Sequence, residues 1–121
     1  MATSFTVQRN TSGDLTILTL NGFLDAHTAP EFEKVIQREF DAGHVRLIVD
    51  CGELTYISSA GLGVFMSFIE DIRGADGDLK ICNLKPKVAQ VFEILGFNSI
   101  FDMVPTVDDA ARSFAGPARK V

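Results

Sequence analysis

The sequence predicts an α/β fold: a single mixed, largely parallel β-sheet packed with about four helices, in the order β-β-α-β-α-β-α-β-α. Segments with alternating or β-branched apolar residues recur along the chain, and segments with apolar residues at helical spacing lie between them. Strands separated by helices need crossover connections, which make neighbouring strands parallel. With 121 residues, 46% of them apolar, the chain is long enough for one core and one sheet.

The first two strands are predicted to form a hairpin. Residues 5–9 and 15–20 alternate in polarity, and residues 10–14 between them have turn chemistry. Asn21-Gly22 is expected to end the second strand. The hairpin adds antiparallel pairing to an otherwise parallel sheet.

The first helix has apolar residues at helical spacing. These are Phe32, Val35, Ile36 and Phe40. We expect Thr28 to be its cap, Pro30 to occupy its first turn, where a missing N–H costs nothing, and Gly43 to end it.

A buried strand and a second helix follow. Residues 45–50 are rich in β-branched side chains and predict the strand, and residues 51–55 are expected to form a loop. Ser58 or Ser59 is the expected N-cap of the second helix, which ends at residues 74–78. Its inward face consists of Leu62, Phe65, Phe68, Ile69 and Ile72.

The remaining elements complete the alternation. Residues 79–84 predict a short strand, and Pro86 opens a third helix that Gly96 ends. The inward face of that helix consists of Val88, Val91, Phe92 and Leu95. Residues 100–104 predict a last strand, and Thr106 is the expected cap of a C-terminal helix.

The composition disfavours direct nucleic-acid binding. Lys and Arg number 11 and Asp and Glu 16, a net charge of −5, whereas DNA, RNA and anionic membranes attract positive surfaces. No apolar run is long enough to span a bilayer, and the N-terminus lacks the pattern of a signal peptide. We therefore expect a cytoplasmic domain over residues 1–116, a C-terminal tail over residues 117–121 and no membrane insertion.

Residue types that commonly carry catalysis are scarce. The two cysteines, Cys51 and Cys82, have no zinc-binding spacing and lie in or beside apolar runs, which predicts two buried, reduced thiols. Of the two histidines, His27 and His44, neither is predicted to bind a metal, and His27 has no second ligand at a useful spacing. The sequence predicts no metal site and no cofactor.

Residues 56–63, Tyr-Ile-Ser-Ser-Ala-Gly-Leu-Gly, place two hydroxyls where a helix begins and small residues after them. Helix N-termini stabilise anions, so a phosphate on Ser59 would be accommodated there. The simpler interpretation is N-capping by a serine, with glycines that permit tight packing. The segment lacks the Gly-Lys-Ser/Thr ending of a P-loop and the flanking glycines of a hydrolase nucleophile elbow. A serine hydrolase using His27 or His44 is disfavoured because nothing marks a third member.

Residues 22–29, Gly-Phe-Leu-Asp-Ala-His-Thr-Ala, form a second cluster. The loops after the second and third strands can emerge at the same end of the sheet, so Asp25 is expected near Ser58 and Ser59. The simpler interpretation of Asp25 is a turn carboxylate.

These two clusters, together with Leu-Ile-Val-Asp at residues 47–50, resemble the STAS domain family, and more narrowly the bacterial anti-sigma factor antagonists. The similarity continues through residues 79–83 and 92–97 and covers nearly the whole chain. It implies the STAS fold for the domain and a regulatory protein that is not an enzyme.

The resemblance implies partner switching. In the family, the unphosphorylated domain binds an anti-sigma factor that is also a serine kinase, and the sigma factor is released. Phosphorylation ends that binding, and a metal-dependent serine phosphatase resets the domain. Ser59 matches the phosphorylated serine, and Asp25 matches an acidic residue beside it. Ser58 stands where the family usually has Asp, and Ala60 where it has Ser or Thr, so Ser58 is the second-choice phosphorylation site.

The resemblance also implies a partner-binding surface around these two clusters. Its expected residues are Asp25, His27, Thr28, Ser58, Ser59, Ala60, Gly61, Leu62 and Gly63. The free chain is expected to be a monomer. One alternative is a STAS subunit that regulates a membrane-transport assembly without phosphorylation, and a less supported one is direct binding of a nucleotide or lipid.

Overall fold

A computed structural model of the protein describes residues 5–115 and contains the predicted strands and helices in the predicted order. The strands are β1 (Thr6–Ser12), β2 (Leu15–Leu24), β3 (Arg46–Ile57), β4 (Asp78–Cys82) and β5 (Met103–Val104). The helices are α1 (Ala29–Asp41), α2 (Ser59–Gly74), α3 (Pro86–Ile94) and α4 (Val107–Ala115), and Phe97–Ser99 forms a 3₁₀ turn. The predicted tail over residues 117–121 lies outside the described residues.

The five strands form one sheet in the order β1-β2-β3-β4-β5. β1 pairs antiparallel with β2, and every other neighbouring pair is parallel, as the sequence predicted. The crossovers from β2 to β5 all step in one direction, and right-handed crossovers of that kind place their helices on one face. Accordingly α1, α2 and α3 share the main core, and α4 covers a smaller cluster on the opposite face.

The main core is centred on Phe65 in α2. Its ring contacts Phe32 of α1, Phe92 of α3 and Phe101 edge to face, at centroid distances of 5.2, 5.6 and 6.0 Å. Such edge-to-face contacts add to the stabilisation that burial of each ring supplies. One side chain thereby joins all three helices on this face of the sheet.

The strands β2 and β3 are both longer than predicted. The expected loop over residues 51–55 belongs to β3, and β2 continues past Asn21-Gly22 to Leu24. The parallel pairing of β2 with β3 continues past Asn21-Gly22 because its register shifts at Thr19/Asn21 and at Gly22/Phe23. Irregularities of this kind let a strand keep its pairing beyond residues that would otherwise end it, and they re-aim the side chains that follow.

The segment after α3 also differs from the prediction. Leu95 was expected to face inward but is 55% exposed, because α3 ends at Ile94 and Leu95 lies beyond its last turn. The last strand is confined to Met103–Val104 because Phe97 begins a 3₁₀ turn and stacks on Phe101, with ring centroids 5.3 Å apart. The predicted cap of the last helix is confirmed: the Asp109 N–H donates to Thr106 Oγ1 at 3.1 Å.

Both cysteines are free and buried, as predicted. Burial raises the pKa of both thiols, and the charge of Asp50 adds to the effect, so that the pKa of Cys82 is about 12. Cys51 belongs to the main core and Cys82 to the cluster under α4, so the two thiols lie on opposite faces of the sheet. Within residues 5–115, none of the helices has the length and apolar character needed to cross a bilayer.

Candidate functional site

The carboxyl ends of β2 and β3 bring the two predicted clusters together. Leu24 and Ile57 are the last pair of the β2–β3 ladder, and the Ser58 N–H donates to the Leu24 carbonyl at 2.9 Å. Asp25 follows the acceptor Leu24 in the chain, and Ser59 follows the donor Ser58. The predicted proximity of Asp25 to the two serines is therefore confirmed.

Gly61 allows the first turn of α2 to pack directly on the end of β2. A Cβ at this position would lie 2.7 Å from Leu24 Cγ and 3.0 Å from both the Leu24 carbonyl oxygen and Ile57 Cγ1. Atoms cannot approach so closely without a shift of the backbone or of the buried leucine. The glycine is thus required by the fold itself.

The loop after β2 is held by side-chain hydrogen bonds. Asp25 Oδ1 accepts from the backbone N–H groups of His27 at 3.0 Å and Thr28 at 3.2 Å, so Asp25 is a turn carboxylate, the simpler of the two interpretations. Thr28 is the N-cap residue of α1, but its hydroxyl donates to the Phe23 carbonyl at 2.8 Å and accepts from the Asp25 N–H at 2.9 Å. These bonds hold the Asp25 carboxylate against the backbone at the start of α1, while Asp25 itself follows Leu24, whose carbonyl accepts the Ser58 N–H.

The two serines at the start of α2 differ in accessibility. Ser58 is the N-cap residue with an extended backbone, and its carbonyl accepts the Leu62 N–H at 3.0 Å. Its Oγ is buried and has no hydrogen-bond partner among residues 5–115. Ser59 is the first residue of the helix and is exposed.

The small residues after Ser59 divide into two groups. Gly61 and Leu62 are buried, whereas Ala60 and Gly63 are exposed. A Cβ on Gly63 would meet nothing within 4 Å in the described part of the chain, its own helix backbone excluded. Glycine in a helix costs about 0.5–1 kcal/mol relative to alanine, and no packing within the domain requires it at Gly63.

Two exposed aromatic side chains, Phe23 and Tyr56, belong to the two clusters but are not among the residues that the sequence predicts to bind a partner. Phe23 and Tyr56 face each other across β2 and β3, with ring centroids 5.7 Å apart. A loop over residues 51–55, which the sequence predicts, gives no strand face for the Tyr56 ring, whereas the structure continues β3 through these residues. Their signal is alternation: the neighbouring Leu24 and Ile57 are buried, so Phe23 and Tyr56 belong to the opposite face.

Comparison with known proteins finds one matching family and several similar relatives. The profile of the STAS domain matches residues 6–110. A Bordetella bronchiseptica protein named BtrV, a candidate anti-sigma factor antagonist, is 40% identical over 98 residues, which are 81% of this chain and 84% of that protein. The anti-sigma-B factor antagonist of Listeria monocytogenes is 29% identical over 82 residues, 68% of this chain and 72% of that protein.

Solved structures share the fold. A candidate anti-sigma factor antagonist of Thermotoga maritima superposes with a TM-score of 0.87 at 21% identity, covering 91% of this chain and 95% of that one. The Bacillus cell fate determinant SpoIIAA in its phosphorylated form superposes with a TM-score of 0.70 at 20% identity, covering 92% and 99%. At these identities the likeness establishes the architecture.

Proposed function

The chain belongs to the STAS domain family, and we propose that it is an anti-sigma factor antagonist whose binding to its partner is switched off by phosphorylation of Ser59. The unphosphorylated chain binds an anti-sigma factor that is also a serine kinase, and the sigma factor is released. A metal-dependent serine phosphatase restores the binding form. The chain is a cytoplasmic substrate and ligand, monomeric when free, and the kinase supplies the ATP site and the magnesium ion. The names of the relatives support the antagonist role.

The observation that carries the proposal is the contrast between the two serines. A kinase must bring the accepting hydroxyl into line with the γ-phosphate of ATP, which requires an accessible side chain. Ser59 is exposed, whereas Ser58 Oγ is buried at the residue that caps α2. Phosphorylation of Ser58 would need local opening of that turn, so the geometry favours Ser59.

The switch acts through charge at a site that is already acidic. A phosphate adds about −1.5 to −2 charges, and the N–H groups at the start of α2 can accept it without refolding. The same charge beside Asp25 repels a partner that previously contacted the Ser59 hydroxyl. Moving a complex from almost fully bound to almost fully free needs about 5 kcal/mol, which a lost close contact and an unpaired dianion can supply.

Gly63 supports a partner that approaches α2 closely. The residue is exposed, one turn after Ser59, and the fold does not need it to lack a side chain. A partner backbone or active site lying against this turn would need that space. The region from Ser59 to Gly63 therefore fits a contact surface for another protein.

Substitution of the serines tests the proposal. We expect Ser59→Ala to prevent phosphorylation and retain binding, and Ser59→Asp to weaken binding roughly tenfold or more because its charge meets the partner. The assay is intact mass after incubation with ATP and an anti-sigma kinase from the same organism, followed by calorimetry with that kinase. Ser67→Ala is a matched control, since Ser67 is another exposed serine of α2 and its hydroxyl donates to the Gly63 carbonyl at 2.8 Å.

Ser58→Ala should leave phosphorylation intact. A chain that loses phosphorylation with Ser58→Ala and keeps it with Ser59→Ala is modified at Ser58, and the assignment to Ser59 is then wrong. A wild-type chain that neither binds the kinase nor gains the mass of a phosphate contradicts the proposed function as a whole.

A further inference from the structure

The aromatic pair Phe23–Tyr56 is an outlier in the distribution of apolar side chains. All ten phenylalanines lie within the described residues, and Phe23, at 46% exposure, is the exposed one among them. Tyr56 is the single tyrosine of the chain and is 48% exposed. Elsewhere the chain uses large aromatic rings to fill its core, so two touching rings in contact with water need an explanation.

The fold does not cover this pair. Within residues 5–115, β4 pairs with β3 only as far as Asp50, and β1 pairs with β2 only as far as Asn21. The carboxyl-terminal ends of β2 and β3 therefore pair only with each other and form a two-stranded ribbon. The helices on the main face bury the opposite side of that ribbon. The helix α4 packs further down the sheet, against the cluster that contains Ile48 and Cys82. The outer side of the ribbon thus remains bare.

Stability of the ribbon alone does not account for two large rings. A cross-strand aromatic pair stabilises paired strands, but threonine or valine pairs have comparable strand preference and expose far less apolar surface. Exposed aromatic pairs of this kind are typical of protein contact surfaces, where tyrosine in particular contributes strongly to binding.

The pair is continuous with the proposed phosphorylation site. Tyr56 is three residues before Ser59, so their Cα atoms lie within about 11 Å. Phe23 is two residues before Asp25, and the Thr28 hydroxyl bonded to its carbonyl fixes its backbone relative to that loop. A protein that covers Ser59 and the edge of the ribbon therefore reaches both rings.

Resting on the proposed function, we infer that Phe23 and Tyr56 are the apolar anchor of the surface that binds the anti-sigma factor. Asp25 lies two residues after Phe23 in the chain, and the exposed Glu53 lies three residues before Tyr56. The matching surface on the partner is an apolar depression flanked by lysine or arginine side chains. The contact accordingly extends from α2 across the carboxyl edge of β2 and β3.

Binding measurements with strand-compatible variants test the inference. Phe23→Thr and Tyr56→Thr keep a β-branched residue in each strand, and we expect each to weaken binding of the unphosphorylated chain to the anti-sigma kinase by roughly 10- to 100-fold. Phosphorylation of Ser59 by excess kinase remains detectable by mass. Ile94→Ala is the matched control: Ile94 is 81% exposed at the end of α3, which runs back toward the opposite edge of the sheet, and its loss should leave binding unchanged.

The outcomes separate this inference from the proposed function. A wild-type chain that binds while both threonine variants bind within about threefold of it leaves the proposed function standing and overturns the inference. A wild-type chain that does not bind overturns both. Self-association that is lost in Tyr56→Thr, measured by sedimentation, assigns the pair to a contact between copies of this chain and also overturns the inference.

A second measurement covers variants that fail to fold. A photo-crosslinking phenylalanine analogue is placed at residue 56 or, as the control, at residue 94, with the remaining sequence unchanged. Crosslinks to the anti-sigma kinase from residue 56 and not from residue 94 support the inference. Absence of a crosslink from residue 56 in a chain that binds the kinase contradicts it.

Discussion

Gly61 and Gly63 have opposite roles in α2, although they are separated by one residue. A Cβ on Gly61 would collide with buried atoms of Leu24, whereas a Cβ on Gly63 would point into open space. The first glycine is a packing requirement of the domain. The second costs helix stability in the free domain and leaves open space on the surface of α2, where the proposed partner would lie.

Alanine at each position separates these roles. We expect Gly61→Ala to lower the free energy of unfolding by about 1–3 kcal/mol, since overpacking exceeds the gain in helix preference. Gly63→Ala should raise it by about 0.5–1 kcal/mol and should weaken binding to the anti-sigma kinase. Urea unfolding and calorimetry measure the two quantities. A Gly63→Ala chain that is more stable and binds as tightly as wild type would refute close approach at this turn.

The helix α4 is attached to the sheet by a ring between two cations. The Phe114 ring lies 4.7 Å from Lys80 Nζ and 5.1 Å from the Arg46 guanidinium carbon, and Arg46 also donates to the Phe114 carbonyl at 2.9 Å. Lys80 is buried and its ammonium group lies 2.6 Å from Asp102 Oδ2. Cation–π contacts of this kind are strengthened when the cation is withdrawn from water.

Removing that ring should loosen α4 without unfolding the main core. Cys82 lies in the small cluster under α4, and Cys51 lies in the main core on the other face. We expect Phe114→Ala to make local detachment of α4 roughly 10- to 100-fold more frequent, so that Cys82 is alkylated faster while Cys51 keeps its wild-type rate. Peptide mass spectrometry after timed alkylation follows each thiol. Equal acceleration of both thiols would mean that α4 and the core unfold together.

At the scale of the whole molecule, a buried carboxylate links the hairpin to the helical layer. Glu39 of α1 is 6% exposed, and its Oε1 lies 3.1 Å from Arg9 Nη2 of β1 and 2.8 Å from His44 Nδ1. Burial opposes ionisation, but the hydrogen bonds from Arg9 and His44 outweigh it and hold the pKa of Glu39 below its usual 4.5. A carboxyl whose pKa is lower in the folded than in the unfolded chain stabilises the fold at pH values above the unfolded pKa. That stabilisation is lost as the pH falls through the pKa of the folded chain.

Glu39→Gln should therefore lower the urea midpoint of unfolding at neutral pH. The difference from wild type should shrink as the pH falls below 4.5, the usual pKa of the group, and vanish once the native carboxyl is protonated. Glu33→Gln, a substitution of an exposed glutamate of the same helix, is the control and should leave the urea midpoint at neutral pH close to that of wild type. If the urea midpoint of Glu39→Gln stays below that of wild type by the same amount in acid, the loss of stability comes from packing and not from the carboxylate charge.

The order of strands and helices could be predicted from the sequence because each element buries one face and so shows the hydrophobic period of a strand or a helix. Residues 45–50 and Phe65 with its neighbours could be assigned from local pattern alone, and the parallel sheet followed from their order. Part of the candidate site could also be predicted, because Asp25, Ser59 and the small residues that follow Ser59 occur in two short clusters of the sequence. Local turn chemistry misled where pairing with a neighbouring strand outweighed it, as at residues 51–55.

By itself the sequence determined the fold class, the burial of both thiols, and the meeting of Asp25 with the two serines. Tertiary structure alone decided which serine is accessible, because two adjacent hydroxyls at the start of one helix look alike in the sequence and only the packing around them buries Ser58 Oγ. It also decided that Lys80 is buried and that Phe23 and Tyr56 are exposed. The physical reason is that periodicity shows which face a side chain occupies, whereas its exposure depends on how far distant elements extend over that face.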